Sequence, residues 1–272
     1  MTDGQAATAG TSLVQIEIDN GVALLRLNDP PANTYSYEMM QQLDRAILNL
    51  RMDESVQVII ITGTGEKFFC AGADIRMLAN ATPTYKYSFC LHANETLSRL
   101  EQTPKLVIAA LNGHCVGGGL EVAMAADLRI ARKGAGKLGL PEVSLGVLPG
   151  TGGTQRLTRI VGKSKAIELM VTGELFDFER GLELGILNQV IEADADGFLK
   201  KVLEYAGQFT TPNKASLAVG RIKRSVQSGA EISFESALAL ERELQQQLFQ
   251  SADAREGIDA YVGKRKAEFK GR

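Results

Sequence analysis

The sequence predicts an α/β core followed by a C-terminal region built only of helices. Two observations lead to this fold class. Apolar runs with the composition of buried strands alternate with stretches of helical spacing, which is typical of α/β folds. From about Phe198 onward, the strand-like runs stop and amphipathic helical patterns remain. We therefore expect a disordered tail at 1–12, an α/β core at 13–199 and a helical region at 200–272.

The core is expected to begin with a β-hairpin. Residues 13–18 alternate apolar and polar side chains, and 22–27 form a second apolar run. Asn20 and Gly21 separate the two runs, and such a pair is the strongest short signal for a hairpin turn because both residues tolerate a positive φ. A helix is predicted next, at 37–52, where apolar side chains share one face. These side chains are Met40, Leu43, Ile47 and Leu50.

The remaining elements continue this alternation. Apolar composition predicts three further buried strands, which are 56–61, 106–111 and 128–131. Helical spacing predicts four further helices, the second of them preceded by a glycine turn. They lie within 83–102, 117–126, 234–248 and 253–269.

Composition and charge restrict the possible functions. The apolar share of 44% and the charged share of 23% are ordinary for a globular protein. With 30 Lys and Arg against 32 Asp and Glu, the chain lacks the basic excess of nucleic-acid-binding proteins. No apolar run reaches the ~18 residues of a membrane helix, and the N-terminal residues carry no secretory or transit signal. We expect neither nucleic acid nor a membrane as a partner.

Cysteine and histidine usage indicates a reduced protein without a metal. The three cysteines, Cys70, Cys90 and Cys115, lack a framework spacing, which indicates free thiols and a cytoplasmic location. Cys70 and Cys115 are expected to be small buried side chains. The two histidines are too few for a His-rich metal site. Of these, His114 is interpreted as a packed polar residue beside a turn.

Three segments combine small residues with acids. Small residues at 71–73 leave the backbone open to a ligand. Glycines at 117–119 begin a predicted helix, where unpaired N–H groups attract negative charge. Glu121 follows on the first turn of this otherwise apolar helix. The third segment, 140–156, carries Glu142 ahead of a second glycine-rich loop.

Each of these features has a plainer explanation when taken alone. Glu121 can be a carboxylate that caps its own helix, Glu142 can be an acid on a surface loop, and the glycines can mark a tight crossing of backbones. Taken together, two loops with bare amides and two acids in apolar surroundings fit chemistry beside a carbonyl group, where an oxyanion develops.

These segments resemble the crotonase (enoyl-CoA hydratase/isomerase) family. The family pattern of a strand, Asn-Gly, a small residue, Gly-Gly-Gly and a helix that ends in Asp matches residues 107–127. The pattern Pro-Glu…Gly…Pro-Gly-x-Gly-Gly-Thr-Gln-Arg-Leu matches residues 141–157. The resemblance extends from about residue 13 to the C-terminus.

The resemblance implies a fold, an assembly and a substrate class. The core at 13–199 would be a catalytic spiral of ββα units, and the helical region would serve trimerisation, with a homotrimer or a homohexamer made of two trimers. The substrate would be an acyl-CoA thioester, so that coenzyme A belongs to the substrate and no separate cofactor is expected. The backbone amides of Ala73 and Gly118 would form the oxyanion hole.

The two acids point to one reaction within the family. Hydratases carry glutamates at the positions of Glu121 and Glu142, which implies syn addition of water to a trans-2-enoyl-CoA and formation of a 3-hydroxyacyl-CoA. Glu121 would hold and activate the water that attacks C3, and Glu142 would grip the same water and deliver a proton to C2. The residues expected to bind the substrate and its CoA part are Ala71, Ala73, Asp74, Ile75, Arg76, Gly118 and, from a neighbouring subunit, Lys264.

Departures from the family pattern leave alternatives open. Residues 33–36, Asn-Thr-Tyr-Ser, replace the usual Asn-Ala-Leu beside the CoA site, and one extra residue precedes Glu142, near 134–136. A double-bond isomerase or a branched-chain hydratase of the methylglutaconyl type are alternative enzymes. An RNA-binding relative is disfavoured by the net charge of −2, and an inactive scaffold by the presence of both acids.

Overall fold

The computed structural model describes residues 12–272. Within them the chain forms ten strands: β1 (Val14–Asp19), β2 (Val22–Leu27), β3 (Val58–Gly63), β4 (Phe68–Cys70), β5 (Leu106–Leu111), β6 (His114–Val116), β7 (Leu128–Arg132), β8 (Lys137–Gly139), β9 (Phe176–Asp177) and β10 (Gln189–Ile191). It also forms eleven α-helices: α1 (Tyr37–Met52), α2 (Ile75–Ala79), α3 (Pro83–Gln102), α4 (Gly118–Met124), α5 (Gly153–Val161), α6 (Lys163–Thr172), α7 (Phe178–Glu183), α8 (Ala195–Gly207), α9 (Ser216–Gly229), α10 (Phe234–Phe249) and α11 (Ala252–Val262). Of the expected tail at 1–12, residues 1–11 lie outside the described range.

The strands form two sheets, and the chain alternates between them. The larger sheet has the order β1-β2-β3-β5-β7-β10, and all of its pairs except β1–β2 are parallel. The smaller sheet has the order β4-β6-β8-β9. Each of β3, β5 and β7 lies in the larger sheet, and the strand that follows it lies in the smaller one. This repeated crossing is the spiral of ββα units that the family resemblance implies.

The N-terminal hairpin and the first long helices confirm the sequence prediction. Asn20 and Gly21 have φ values of 48° and 81°, the left-handed pair that a two-residue turn between β1 and β2 requires. Helices α1 and α3 have the predicted bounds. Ser36 caps the first of them by accepting the Met39 N–H at 3.2 Å.

Several predicted elements end at different residues in the structure, and two of them have a clear physical reason. The strand expected at 56–61 is β3, at Val58–Gly63, because its register with β2 begins at the Val22–Val58 pair. The helix expected at 253–269 stops at Val262. Lys264 takes a left-handed φ of 52°, which ends the helix, and the Asp253 carboxylate accepts the N–H groups of the returning chain.

Both faces of the larger sheet are covered. One face packs against a core that includes the buried sides of α1, α3 and α4. The other face packs against α8, whose Phe198, Val202 and Ala206 are buried against side chains of the larger sheet. The expected boundary between residues 199 and 200 falls within this helix, and its packing places the whole of α8 with the sheet.

The smaller sheet accounts for two of the cysteines. Cys70 and Cys115 pair across β4 and β6, and both are fully buried free thiols, as predicted. Burial raises the pKa of the Cys70 thiol to about 12, which keeps it protonated. None of the helices in residues 12–272 combines the length and the hydropathy that a membrane crossing needs.

A buried ion pair ties the C-terminal helices to the core. Lys223 of α9 lies 2.8 Å from Asp127, just after α4, and both side chains are almost fully buried. Asp127 also accepts the Val107 N–H at 2.7 Å and the Gln227 amide at 2.8 Å. These additional hydrogen bonds supply the partners that a buried carboxylate needs.

We predict that replacing Phe198 by alanine lowers the free energy of unfolding by about 3–5 kcal/mol, because the buried ring leaves a cavity between α8 and the sheet. Urea unfolding followed by circular dichroism measures the loss. Lys200→Ala, on the exposed side of the same helix, is the control and is expected to change the free energy by less than ~0.5 kcal/mol. Equal stability of the two variants would contradict the packing role of α8.

Candidate active site

Three consecutive glycines bring the backbone at the start of α4 close to its neighbours. Gly117 has φ 56° and ψ −134°, which a side chain would strain. A Cβ at Gly118 would overlap the Tyr35 hydroxyl, and a Cβ at Gly119 would overlap the Cys70 carbonyl oxygen. The triplet is therefore a tight backbone crossing, and the same crossing leaves the Gly118 N–H without a hydrogen-bond acceptor among residues 12–272.

The loop after β4 presents a second backbone amide beside the first. The Tyr35 N–H donates to the Gly72 carbonyl at 2.9 Å, and the Asp74 N–H donates to the Tyr35 carbonyl at 3.1 Å. Ala73 lies between these two bonds, and within the described chain its own N–H has no acceptor. A Cβ at Gly72 would lie 2.9 Å from the Gly118 nitrogen. The two predicted amides thus belong to adjoining loops.

Glu121 is held from a distant loop. The side chain is buried in α4, and its Oε1 accepts the N–H groups of Thr151 and Gly153, each at 2.7 Å. Gly153 is the first residue of α5. The carboxylate therefore satisfies amides at the start of another helix, and the interpretation as a cap of its own helix is wrong.

An ion pair supports the loop that holds Glu121. The Arg156 guanidinium forms a bidentate pair with Glu101 of α3, at 2.8 and 2.6 Å. The same guanidinium donates to the Thr151 carbonyl at 3.1 Å. Planar two-point contacts of this kind fix geometry as well as charge. Arg156 thereby links helix α3 to the loop at Thr151 and, through that loop, to Glu121.

Glu142 lies close to the same glycine segment. It is the first residue of a 3₁₀ helix at Glu142–Leu145. Its Oε1 lies 3.1 Å from the place where a Cβ of Gly117 would be. Its Oε2 is buried and has no hydrogen-bond partner in the described part of the chain. Glu142 is thus half-buried at the edge of an exposed segment, with one carboxylate oxygen withdrawn from solvent, which an acid on a fully exposed loop would not show.

The surroundings raise the pKa of both carboxyls, but the groups that oppose the increase differ between the two. Burial raises the pKa of Glu121, and the two backbone N–H groups that it accepts limit the increase. The pKa of Glu142 is raised to about 7 by burial and, to a smaller extent, by the charge of Glu121. The backbone N–H of Glu142 and the charge of Lys86 oppose this increase. Glu121 therefore has two backbone donors from another loop for its charged form, whereas Glu142 has only the N–H of its own backbone.

The segment expected to contact coenzyme A lies on the surface beside Ala73. Asp74 caps α2 by accepting the Arg76 N–H at 2.8 Å, and the two side chains also pair at 3.4 Å. Ile75 is exposed, as is the Arg76 guanidinium. The Ala71 N–H donates a hydrogen bond to a backbone carbonyl of a neighbouring loop. Of this set, Arg76 has the free reach that contact with a phosphate needs.

Two expectations from the sequence stay predictions, because a single chain does not test them. Lys264 is exposed just after α11, and its approach to a neighbouring subunit's site stays a prediction. No group of three or more His, Cys, Asp or Glu side chains in residues 12–272 is arranged to hold a metal ion. The expectation of a reaction without metal or separate cofactor likewise stays a prediction.

His114 accepts the Lys137 N–H at 3.2 Å and packs against Phe68, which confirms its structural interpretation.

Sequence reasoning missed several residues of the site. Thr151 and Gly153 lie within the matched motif at 141–157, so the motif marked the loop without revealing that it holds Glu121. Tyr35 was visible only as a departure from the family pattern. Lys86 lies half-buried over the Phe89 ring and gave no sequence signal, because a lysine on a polar helix is ordinary.

Comparisons with known proteins identify the family. The sequence model of the enoyl-CoA hydratase/isomerase family matches residues 17–272. A probable enoyl-CoA hydratase of Bacillus subtilis is 38% identical over 95% of this chain and 98% of its own. A short-chain-enoyl-CoA hydratase of Clostridium acetobutylicum is 36% identical over 95% and 98%. The crystal structure of an enoyl-CoA hydratase from Geobacillus kaustophilus superposes with a TM-score of 0.93, at 41% identity over 97% and 98% of the two chains. The chain belongs to the enoyl-CoA hydratase/isomerase family, the crotonase superfamily, and has its fold.

We predict that Glu142→Gln stabilises the protein at pH 8 and not at pH 5. The folded protein holds the Glu142 proton up to a pKa of about 7, against an ordinary value of 4.5. The stability that this proton contributes is present below pH 4.5 and is lost as the pH rises through about 7. With allowance for partial solvent screening, the variant should gain about 1–3 kcal/mol at pH 8 relative to pH 5.

Thermal unfolding at the two pH values measures this difference. Glu204→Gln removes an exposed carboxylate of α8 and is the control, with no pH-dependent gain expected. If Glu142→Gln behaves like the control, Glu142 is not a buried acid with a raised pKa.

Proposed function

We propose that this protein is an enoyl-CoA hydratase. It adds water in the syn sense across the 2,3 double bond of a trans-2-enoyl-CoA and gives a 3-hydroxyacyl-CoA. The observation that carries the proposal is the arrangement of two carboxylates, the buried Glu121 and the half-buried Glu142, around one glycine segment that also presents a free amide. The names of the B. subtilis and C. acetobutylicum relatives support the same reaction.

The free amides of Ala73 and Gly118 bind the thioester oxygen. When a nucleophile attacks C3, negative charge moves onto this oxygen, and two preorganised donors stabilise it without reorganisation. Because neither N–H has an acceptor within the described chain, both are available. Loss of one such donor typically slows a reaction by ~10²–10³.

The two carboxylates divide the proton transfers between them. Glu121, held by two backbone N–H groups, is the base that orients water and takes a proton as the oxygen bonds to C3. Glu142, whose pKa of about 7 keeps it partly protonated near neutral pH, contacts the same water and delivers a proton to C2. The proton on Glu121 then returns through solvent to Glu142, so that the cycle balances.

The assembly and the CoA contacts complete the proposal. The C-terminal helices expose large apolar side chains, which mark a protein-contact surface. They are Ile222, Val226, Phe234, Phe249, Tyr261 and Val262. A homotrimer, paired into a hexamer, covers this surface. It also brings Lys264 of a neighbouring subunit to the phosphates of coenzyme A, opposite Arg76.

We predict that Glu121→Gln and Glu142→Gln each lower kcat for crotonyl-CoA hydration by at least ~10²-fold, since a positioned acid or base contributes ~10²–10⁴. The assay follows loss of the conjugated thioester absorbance. Each glutamine keeps the shape of the side chain and removes its charge together with its proton-transfer capacity. Glu204→Gln, far along the chain on α8, is the control and should keep full turnover.

Two outcomes would contradict the assignment. Turnover near that of the unmodified protein in either glutamine variant would remove that glutamate from the mechanism. A shifted double bond without a hydroxyl in the product would instead identify an isomerase. A panel of linear and branched enoyl-CoAs, with product analysis, separates the short-chain from the methylglutaconyl-type reaction.

A further inference from the structure

Tyr35 occupies a position between the elements of the site. It lies in the loop before α1 and is 2% exposed, with its ring stacked on Phe89 at a centroid distance of 6.0 Å. A buried phenol needs a hydrogen-bond partner for its hydroxyl. The hydroxyl is therefore the feature that calls for an explanation.

The backbone of Tyr35 fixes the first free amide. Its N–H and its carbonyl bond to Gly72 and Asp74, at 2.9 and 3.1 Å. These two bonds clamp the peptide units on either side of Ala73. The direction of the Ala73 N–H is consequently set by Tyr35.

The side chain of Tyr35 reaches the second amide and Glu121. Its hydroxyl lies against Gly118, where any Cβ would overlap it. It also lies 3.1 Å from the Thr151 hydroxyl, in a fully buried contact. Thr151 in turn holds Glu121 through its backbone N–H at 2.7 Å. One residue thus touches both amide-bearing loops and the support of the catalytic base.

We propose that Tyr35 is a positioning residue that holds Glu121 and the amides of Ala73 and Gly118 in a fixed mutual arrangement. This proposal rests on the proposed hydratase function, in which those three groups act on one substrate. Tyr35 does not itself exchange a proton with the substrate.

The electrostatic surroundings agree with a neutral phenol. Burial and the charge of Glu121 raise the pKa of Tyr35 well above its ordinary value, so the hydroxyl keeps its proton. Either hydroxyl can donate in the contact between Tyr35 and Thr151, and the Thr151 side chain also lowers the pKa of Glu121. The other charged groups that act on Glu121 are Arg156 and Glu142.

The decisive variant is Tyr35→Phe, which removes one oxygen and keeps the ring. For crotonyl-CoA hydration we expect kcat to fall about tenfold, the effect of losing roughly one hydrogen bond's worth of transition-state stabilisation, while KM changes less than twofold. The acidic limb of the kcat–pH profile should move to higher pH, because Glu121 loses support for its charged form. Tyr37→Phe, two residues away and partly exposed, is the matched control and should change none of these values.

A double-mutant cycle tests the path through Thr151. Thr151→Ser keeps the hydroxyl and should retain most of kcat, whereas Thr151→Val should lose about as much as Tyr35→Phe. Tyr35→Phe in the Thr151→Val background should cost little more, because the same chain of hydrogen bonds is already broken. Additive losses, or an unchanged kcat and pH profile in Tyr35→Phe, would overturn the proposal and leave Tyr35 as a packing residue.

A binding experiment separates this proposal from the proposed function. A conjugated dienoyl-CoA bound between the two amides should show a red-shifted absorbance, and Tyr35→Phe should reduce that shift. If the unmodified protein shows the shift and does not hydrate crotonyl-CoA, the hydratase function fails and the shift in Tyr35→Phe still decides the positioning role. If the unmodified protein hydrates crotonyl-CoA and Tyr35→Phe matches it in every readout, only the positioning role fails.

Discussion

The bond between the Glu121 carboxylate and the start of α5 is the contact on which the site depends. A carboxylate in an apolar helix is costly unless donors reach it, and those donors come from Thr151 and Gly153, roughly thirty residues further along the chain. To bring them there, α4 must lie directly under the loop, with Gly153 against the carboxylate. The Arg156–Glu101 pair then holds the loop from the other side.

The two glutamates show how two carboxyls beside one glycine segment can have different properties. Glu121 accepts backbone N–H groups, whereas the buried Oε2 of Glu142 has no partner in the described residues. A buried oxygen without a hydrogen-bond partner lowers the free energy of unfolding. Glu142 therefore destabilises the folded protein. Burial, together with the charge of Glu121, raises the pKa of Glu142 toward neutrality.

Much of the fold was predictable because its signals are local. The hairpin at Asn20 and the bounds of α1 follow from turn chemistry and side-chain periodicity, and both are confirmed. The contacts of Glu121 could not be predicted, since they join segments distant in the chain and involve backbone N–H groups that no side-chain pattern records. The boundary near residue 200 failed to separate α8 from the core because amphipathic spacing shows that a helix has a buried face, but not which surface covers it.

The central claim is that both carboxylates act on one water molecule at one face of the double bond. Hydration of crotonyl-CoA in D₂O, followed by NMR of the 3-hydroxybutyryl product, tests this most directly. The account predicts one deuterium at C2, on the same face as the new C3 hydroxyl. Deuterium on the opposite face, an equal mixture of both, or incorporation at C4 would mean that Glu121 and Glu142 do not share a water, and the account would be contradicted.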